Sequence, residues 1–481
     1  MVLWFTYADL AYAKIPDMKR IRAFIRLFWS AVRGKEESFT TGSINRALFM
    51  LSIPMILEMV MESLFSVIDI LFVSRIGVEA VATVGLTESV VTLVYSISIG
   101  MSMGATAMVA RRIGEGKREA AAVASVQAIF IGLLASAVIG VLGIVFAEHI
   151  LRMMGGSDSL VENGAIYTRI VLGSNLAIML LFLLNGIFRG AGDASLAMRA
   201  LWLSNGINIV LDPVLIFGLG PFPELGLKGA AIATAIGRGT GVVFQLWLLL
   251  RGSSKVHLLR HHLKINLDIV RRLVKVSANG AFQFLISSAS WIFLMRIIAL
   301  FGDEAIAGYV IAIRLIIFTI LPSWGLANAA ATLVGQNLGA GHPDRAERSV
   351  WRAGLYNTIF MVSVSIVYMI WAPTIIAFFD TAPQVVEAGV MTLRIICLGY
   401  IFFAYGMVLS QAFNGAGDTR TPMLINIVCF WLLEIPLGYL LAVPLNLGLA
   451  GVCWAIAISE TLLAVLSIVI FRKGKWKEIA I

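Results

Sequence analysis

The feature that most constrains the fold is a series of long runs with no polar face. "QAIFIGLLASAVIGVLGIVF" (127–146) and "NTIFMVSVSIVYMIW" (357–371) are apolar on nearly every side. About 20 such residues in a helix cross the roughly 30 Å hydrocarbon layer of a bilayer. Within that layer only helices and closed barrels satisfy their own backbone, and these runs lack the alternation of barrel strands. The sequence therefore predicts a polytopic, all-α membrane protein.

Twelve membrane spans are expected along the 481 residues. The apolar runs place them at roughly 47–75, 79–110, 120–147, 165–188, 196–219, 227–250, 270–300, 305–336, 352–378, 385–412, 421–443 and 448–471.

The charges between the spans predict the orientation. Loops after even-numbered spans are rich in Lys and Arg, for example 111–118 and 251–275, whereas loops after odd-numbered spans lean acidic. Short cytoplasmic loops are enriched in Lys and Arg. Both termini are therefore expected in the cytoplasm, which requires an even number of spans. The net charge of +9 is then a consequence of topology and gives no reason to expect a nucleic-acid partner.

Two near-copies of one heptamer predict an internal repeat. "FRGAGDA" occupies 188–194 and "FNGAGDT" occupies 413–419, and other segments match at nearly the same offset, such as 226–236 with 448–458. A six-helix unit used twice gives two bundles of the same orientation, related by a pseudo-twofold axis along the membrane normal. Two such bundles around a central cleft are typical of a transporter.

The repeat also divides the chain into segments. We expect a cytoplasmic basic N-terminal segment (1–45), an N-lobe of six spans (46–250), a cytoplasmic linker (251–269), a C-lobe of six spans (270–472) and a cytoplasmic tail (473–481). Residues 18–33, "MKRIRAFIRLFWSAVR", form either a basic amphipathic helix on the anionic leaflet or a frayed tail. In the heptamers, glycine permits a tight turn and Asp193 and Asp418 are expected to cap the helices that follow.

Ionisable and amide side chains inside the N-lobe spans are the candidate site, because such groups are costly in a membrane. The first span carries Glu62 and Asp69 on one face, with Glu58 one turn earlier, and the fifth span carries Asn205, Asn208 and Asp212 in one stripe. Pro213 is expected to bend the helix beside Asp212. The fourth span adds Asn185 and Arg189, and the sixth adds Thr234.

This oxygen-rich set suits a hard cation, or a proton shared between two acids that cannot both be ionised cheaply. The alternative is that these groups are hydrogen-bonding links between helices.

The second half lacks most of this set. At the repeat offset Asp69 corresponds to Leu294 and Asn185 to Ser410, and Asp212 falls near Leu437. The polar residues that remain in the C-lobe include Glu434, which lies beside Pro436, and Arg296 of the seventh span. Arg314 and Arg394 lie in two further spans. Glu434 and Arg296 are the candidate polar site of this lobe. Glu434 either pairs with one of these arginines, which we favour, or binds a cationic substrate.

Several motifs together resemble the multidrug and toxic compound extrusion (MATE) transporters. These are "IP…D…RIG" in the first span, "NGIFRGAGD", "NIVLDP", "GAAIAT", "FNGAGDT" and "IPLGYLL". The resemblance extends over about residues 45–472 and depends on the order and repeat spacing of the motifs.

The resemblance implies an antiporter of the bacterial or archaeal inner membrane, driven by an inward sodium or proton gradient and exporting amphipathic, often cationic, compounds. It places the coupling-cation site at Asp69, Asn185, Asn208, Asp212 and Thr234. It also suggests gating or cavity roles for Pro54 and Tyr167, to which we add Glu62. We expect no cofactor beyond a coupling ion (Na⁺ or H⁺), small-molecule substrates, a lipid bilayer and a monomer.

One departure and three rival classes complete the expectation. Some members carry a glutamate partway along the seventh span, where this chain has "FLISSASWIF", so a coupling role for the C-lobe is doubtful. The main alternative is a flippase for lipid-linked saccharides, which would need a more cationic cavity to hold pyrophosphate. The histidines lack a catalytic spacing with an acid, which argues against an enzyme. The sequence also lacks the pore-loop signature of a channel, which argues against that class.

Overall fold

The structure is a computed structural model that describes residues 16–35, 37–479 and 481. Within those residues it is built from helices and contains no β-strand. The α-helices, in chain order, are α1 (Pro16–Arg33), α2 (Ile44–Ser74), α3 (Val78–Gly114), α4 (Arg118–Met153), α5 (Asp158–Gly173), α6 (Asn175–Ala191), α7 (Ala194–Phe217), α8 (Leu227–Arg251), α9 (Leu267–Ile298), α10 (Asp303–Gly339), α11 (Pro343–Ala377), α12 (Pro383–Leu398), α13 (Tyr400–Ala416), α14 (Arg420–Asn426), α15 (Ile435–Ala442) and α16 (Gly448–Arg472).

These helices supply the twelve expected spans, six in each lobe. Ten segments of the described chain are long and apolar enough to cross a membrane, and the pair α12 and α13, bent by 58°, makes an eleventh. The remaining span is α2, whose 31 residues extend about 47 Å at 1.5 Å per residue. The fourth span is α5 with α6, and the eleventh is α14, the π-helical segment Ile427–Glu434 and α15.

The two lobes repeat the same packing. In the N-lobe the indole Nε1 of Trp202 donates to the carbonyl oxygen of Leu57 at 3.0 Å. In the C-lobe Trp431 makes the same bond to Ile286 at 3.0 Å. Each bond ties the fifth span of a lobe to its first span. The structure thus confirms that one six-helix unit is used twice.

The two heptamers lie at the same end of the molecule, here called the heptamer end, and join the lobes there. The N-lobe carbonyl oxygens of Arg189 and Gly190 accept hydrogen bonds from Thr332 (3.1 Å) and Gln336 (2.9 Å) on α10. In the other direction, Arg111 on α3 donates to the carbonyl oxygen of Ala416 at 3.4 Å. The repeated sequence therefore forms helix ends that dock onto the opposite lobe.

The turns of the heptamers have the predicted conformation, but their two aspartates differ. Gly192 (φ 83°) and Gly417 (φ 89°) adopt the left-handed conformation that ends α6 and α13. Asp418 caps the next helix through Thr421, whose amide lies 3.2 Å and hydroxyl 2.7 Å from its carboxylate. Asp193 makes no such bond to α7; the prediction that it caps this helix was wrong. Its carboxylate accepts instead from Ser254 and the amide of Lys255, which holds the linker.

The two halves also differ in helix regularity. α7 continues through Pro213 as one helix of 24 residues, with Asp212 buried on the preceding position. In the C-lobe the corresponding span passes through the π-helical segment Ile427–Glu434 just before Pro436. The helical irregularity expected beside Asp212 is therefore found in the other lobe.

Segments outside the spans are docked onto the heptamer end. α1 packs on α2 through an edge-to-face contact between Phe24 and Phe49 (5.5 Å between centroids) and buries Ala31. The helix nevertheless leaves several apolar residues exposed, namely Ile21, Phe24, Ile25 and Trp29. Residues 1–15 of the predicted N-terminal segment lie outside the described residues.

Candidate functional site

The N-lobe site is built on one face of α2, which carries Glu58, Glu62, Phe65 and Asp69 at intervals of three or four residues. Residues with that spacing lie one above another along a helix. The neighbouring faces come from α7 and α8, and three groups of polar side chains follow one another along the stripe.

The first group is the aspartate pair, Asp69 and Asp212. Their carboxyl groups lie within interaction range of each other. Asp212 is fully buried, and when both acids are ionised neither of its oxygens has a hydrogen-bond donor among the described residues. A buried carboxylate without donors is strongly unfavourable, so this pair requires a proton or a metal cation.

Asn208, Thr234 and Tyr167 surround the aspartate pair. Asn208 donates to the hydroxyl of Thr234 at 3.1 Å, and its own side-chain oxygen is buried without a donor. Tyr167 is 8% exposed and lies within electrostatic range of both aspartates. The structure therefore brings four of the five predicted cation-site residues together, with Tyr167 beside them. The atoms that these side chains offer as ligands for a cation are oxygens, which suits Na⁺ as well as a proton.

The second group, here called the Arg238 cluster, contains Glu62, Asn205, Arg238 and Tyr95. Glu62 accepts from Asn205 at 2.9 Å and from the guanidinium of Arg238 at 3.1 Å. Arg238 also lies 3.3 Å from the Tyr95 hydroxyl. Glu62, which was assigned a gating or cavity role, is thus held by a buried ion pair.

The third group, here called the Glu58 cluster, contains the fifth predicted cation-site residue. Asn185 donates to Glu58 at 2.9 Å and accepts from Gln245 at 2.5 Å, and Arg189 lies 4.0 Å from the Glu58 carboxylate. Glu58 and Asp69 are separated by eleven residues of α2, about 16 Å along a helix. The grouping of Asn185 with the aspartate pair is therefore corrected: the acid that Asn185 contacts is Glu58.

Between the lobes lies a cavity of about 190 Å³. Its apolar wall includes Met59, Met103, Phe182 and Trp324. Polar side chains from both lobes also line it: Glu62, Ser102, Thr106, Arg189, Asn328, Gln411 and Asn414. Glu62 belongs both to this cavity and to the Arg238 cluster, so it connects the two.

Pro54 lies inside α2 beside the interface between the lobes. Gly325 of α10 approaches so closely that a Cβ placed on it would lie 2.8 Å from backbone atoms of Met55 and Ile56. A change in the bend of α2 near Pro54 would therefore alter the contact between the lobes.

In the C-lobe the expected ion pair of Glu434 with an arginine is not formed. Glu434 is 3% exposed and accepts a hydrogen bond from Ser459 at 2.5 Å. Its charged neighbour is another acid, Glu460, which lies beside it in a small apolar pocket. Arg296, Arg314 and Arg394 are exposed. The favoured pairing was wrong because α9 turns Arg296 outward, away from the eleventh span.

Sequence reasoning missed four residues of the N-lobe site: Arg238, Tyr95, Gln245 and Glu88. Arg238 and Glu88 lie within spans, where an ionisable group is costly enough to signal a function; both could have been found. Glu88 lies within electrostatic range of Asp69. Tyr95 and Gln245 carry no such signal, because tyrosine and glutamine are tolerated in many membrane helices.

A second cluster lies at the heptamer end, where His261 and His262 of the linker both contact Glu119 of α4. The Nδ1 atom of His262 accepts a hydrogen bond from the amide of Leu259 at 3.1 Å. A neutral His262 then carries its proton on Nε2, the atom that faces Glu119, and that nitrogen has no lone pair for a metal. The cluster therefore attaches the linker to the N-lobe and does not form a metal site.

Two six-helix lobes that close at one end around a cavity, with a buried pair of facing acids in the N-lobe, define a membrane transporter. The chain belongs to the MatE family, whose sequence model matches residues 54–214 and 280–440, so the expected family is confirmed.

Relatives and solved structures agree with this assignment. The chain is 26% identical to the probable multidrug resistance protein NorM of Thermotoga maritima, over 91% of this chain and 94% of the relative. It is 27% identical to a FAD transporter of Shewanella oneidensis, over 87% of this chain and 95% of the relative. A solved structure described as the outward-facing conformation of a multidrug resistance MATE family transporter shares 26% identity, with a TM-score of 0.86, covering 92% of this chain and 98% of that one. These relatives are named as transporters rather than enzymes.

Proposed function

We propose that the protein is a cation-coupled antiporter that exports amphipathic organic cations, using Na⁺ or H⁺ as the coupling ion. The observation that carries this proposal is Asp212, a fully buried carboxylate facing Asp69, neither of whose oxygens has a donor in the described part of the chain. Such a pair binds a cation strongly in one conformation and releases it when water reaches it.

The interlobe cavity supports the choice of exported compound. Methionine and aromatic side chains adapt to varied apolar shapes, and Met59, Met103 and Trp324 supply them here. Glu62 adds a carboxylate for a positive charge, whereas Arg189 is the cationic side chain in this lining. One arginine is little for a pyrophosphate headgroup, which disfavours the flippase alternative. The similarity to named multidrug transporters points the same way.

The proposed cycle alternates between two arrangements of the lobes. The substrate enters from the heptamer end, which we place in the cytoplasm of a bacterial or archaeal cell because the basic loops lie there. After the lobes rock, a cation from outside binds Asp69 and Asp212, and α2 repacks near Pro54, where it contacts Gly325. An inward-moving charge gains about 2.3 kcal/mol per 100 mV of membrane potential, which drives export.

The test measures the uptake of ethidium into inverted membrane vesicles. An imposed Na⁺ or H⁺ gradient drives the uptake. Asp69→Asn and Asp212→Asn are expected to abolish gradient-driven uptake, because a neutral amide cannot bind the coupling cation in the same way. Glu304→Gln removes an exposed acid of the C-lobe and serves as the matched control. Uptake at the unmutated rate in both aspartate variants would contradict the proposal. Comparing the two gradients identifies the coupling ion.

A further inference from the structure

Arg238 is a buried arginine that is only partly paired. It lies on α8 one turn beyond Thr234 and is 3% exposed. One guanidinium nitrogen donates to Glu62 and contacts Tyr95, but its Nε and Nη1 atoms have no acceptor among the described residues. Buried guanidinium donors are normally satisfied, so Arg238 keeps two donors available for a second acceptor.

The position of Arg238 is intermediate between two acids of α2. Its guanidinium lies over the ring of Phe65, 5.4 Å from the ring centroid, and Phe65 comes between Glu62 and Asp69 in the sequence. Arg238 pairs with Glu62 and also lies within electrostatic range of Asp69. A reorientation of the side chain along α2 would therefore bring Arg238 towards Asp69 and away from Glu62.

The two acids have different surroundings. Asp69 faces Asp212 in the aspartate pair, whereas Glu62 lines the interlobe cavity. We propose that Arg238 is a positioning residue that transmits the occupancy of the aspartate pair to the interlobe cavity through Glu62. This inference rests on the proposed antiport function, since it explains how cation and substrate oppose each other.

The direction of the effect follows from the charges. While the aspartate pair is ionised and holds no cation, it attracts Arg238 and weakens the hold of Arg238 on Glu62, whose carboxylate is then available to a cationic substrate. A cation bound between Asp69 and Asp212 neutralises that attraction. Arg238 then pairs fully with Glu62, and the substrate loses its anionic contact. The coupling needs no contact between the two bound ligands.

The experiment measures ethidium binding by fluorescence to the purified full-length protein in lipid nanodiscs, with the coupling cation (Na⁺ or, through pH, H⁺) varied. In the unmutated protein, saturating cation is expected to weaken ethidium binding about tenfold, within the usual range of coupling between two sites. In Arg238→Gln, saturating cation is expected to change the ethidium dissociation constant by less than about threefold, while the cation itself still binds. Arg238→Lys keeps the positive charge and should restore part of the cation effect on ethidium binding. If Arg238 acted only through packing, this variant would not restore it.

Two further variants complete the design. Glu62→Gln is expected to weaken ethidium binding and to remove its response to the cation, and it provides an independent reading if Arg238→Gln does not fold. Arg348→Gln replaces an exposed arginine near the start of α11 in the C-lobe and is expected to behave like the unmutated protein. A full cation response in folded Arg238→Gln, or in Glu62→Gln, overturns the role of Arg238 and leaves the antiport proposal intact. No cation response in the unmutated protein overturns both.

Discussion

Gln336 of the C-lobe donates a hydrogen bond to the carbonyl oxygen of Gly190 in the N-lobe at 2.9 Å, across the closed heptamer end. Thr332, one turn earlier on α10, makes the equivalent bond to the carbonyl oxygen of Arg189. Both acceptors belong to the last turn of α6, whose carbonyl groups lack partners within the helix. The carbonyl oxygen of Arg189 also accepts from the amide of Gly192 in its own lobe, whereas that of Gly190 is satisfied by Gln336 of the opposite lobe.

Removing these two donors is expected to open the heptamer end. A hydrogen bond contributes about 1 kcal/mol, so Thr332→Val with Gln336→Leu should shift the equilibrium between closed and open lobes by roughly tenfold or more. Spin labels at positions 117 and 344 would report the change as a growing population of longer distances. An unchanged distance distribution in the double variant would show that other contacts determine closure.

Gly192→Ala is expected to destabilise the protein. The residue has φ 83°, and a Cβ would lie 2.7 Å from the ring of Phe39 and 3.0 Å from Gln336. Strain of this kind costs about 1–3 kcal/mol, measurable as a lower thermal unfolding temperature. Gly85→Ala is the control, because Gly85 lies in α3 with no atom within 4 Å of its Cβ position; it should be neutral or stabilising. Equal stability of the two variants would contradict this account of the turn.

The segment after α16 is expected to help hold the heptamer end closed. Trp476 is buried and stacks on Phe471 with 4.5 Å between centroids, and the carbonyl oxygen of Ile479 accepts from Arg111 of the N-lobe at 2.7 Å. Trp476→Ala should weaken the docking of this segment by about 3–5 kcal/mol, seen as faster hydrogen exchange at residues 475–479. Trp371→Ala, at an exposed position, is the control, and slow exchange in both variants would contradict the prediction.

This docking should persist at neutral pH and weaken in alkali. The hydrogen bond that Lys477 donates to Glu347 raises the pKa of Lys477 above its usual value. A raised pKa means that the contact stabilises the fold below the ordinary lysine pKa and is lost as the pH rises through the raised value. The protection of the amides at residues 475–479, which is the exchange rate corrected for base-catalysed intrinsic exchange, should therefore fall in that alkaline range and stay constant through neutral pH.

Asn185 and Asn208 are expected to have different roles, although the resemblance assigned both to the cation site. Asn185→Ala removes the hydrogen bond that Glu58 accepts and the acceptor of the Gln245 amide, which costs about 1–3 kcal/mol for each buried polar group, and should lower thermal stability. Asn208→Ala removes an oxygen beside the aspartate pair and should mainly weaken the response of transport to the coupling cation. Loss of cation response in folded Asn185→Ala, with a normal response in Asn208→Ala, would reverse this assignment.

Much of this architecture was predictable because the membrane restricts the possible solutions. Continuous apolar runs, heptamers at a fixed offset and acids in the first and fifth spans are properties of the chain, and the twelve spans, the repeat and the proximity of Asp69 to Asp212 follow from them. Thr234 meets Asn208 as the resemblance implied, despite the irregular segment before α8.

Other features depend on how each helix is rotated about its axis and on the level at which two helices meet, which sequence patterns do not reveal. Asn185 contacts Glu58 instead of Asp69 because the level at which α6 meets α2 is fixed by packing between helices. Asp193 binds the linker because residues 254–255 fold back over the turn. Glu434 lacks an arginine because the outward rotation of Arg296 on α9 is a tertiary property.

The most direct test of the central claim is a double-mutant cycle on gradient-driven ethidium transport, using Asp69→Asn, Asp212→Asn and the combination. Two acids that hold one cation act as a unit, so each single variant should lose nearly as much transport as the double variant. Separate contributions that simply add, or full transport in the double variant, would show that Asp69 and Asp212 do not form one coupling site.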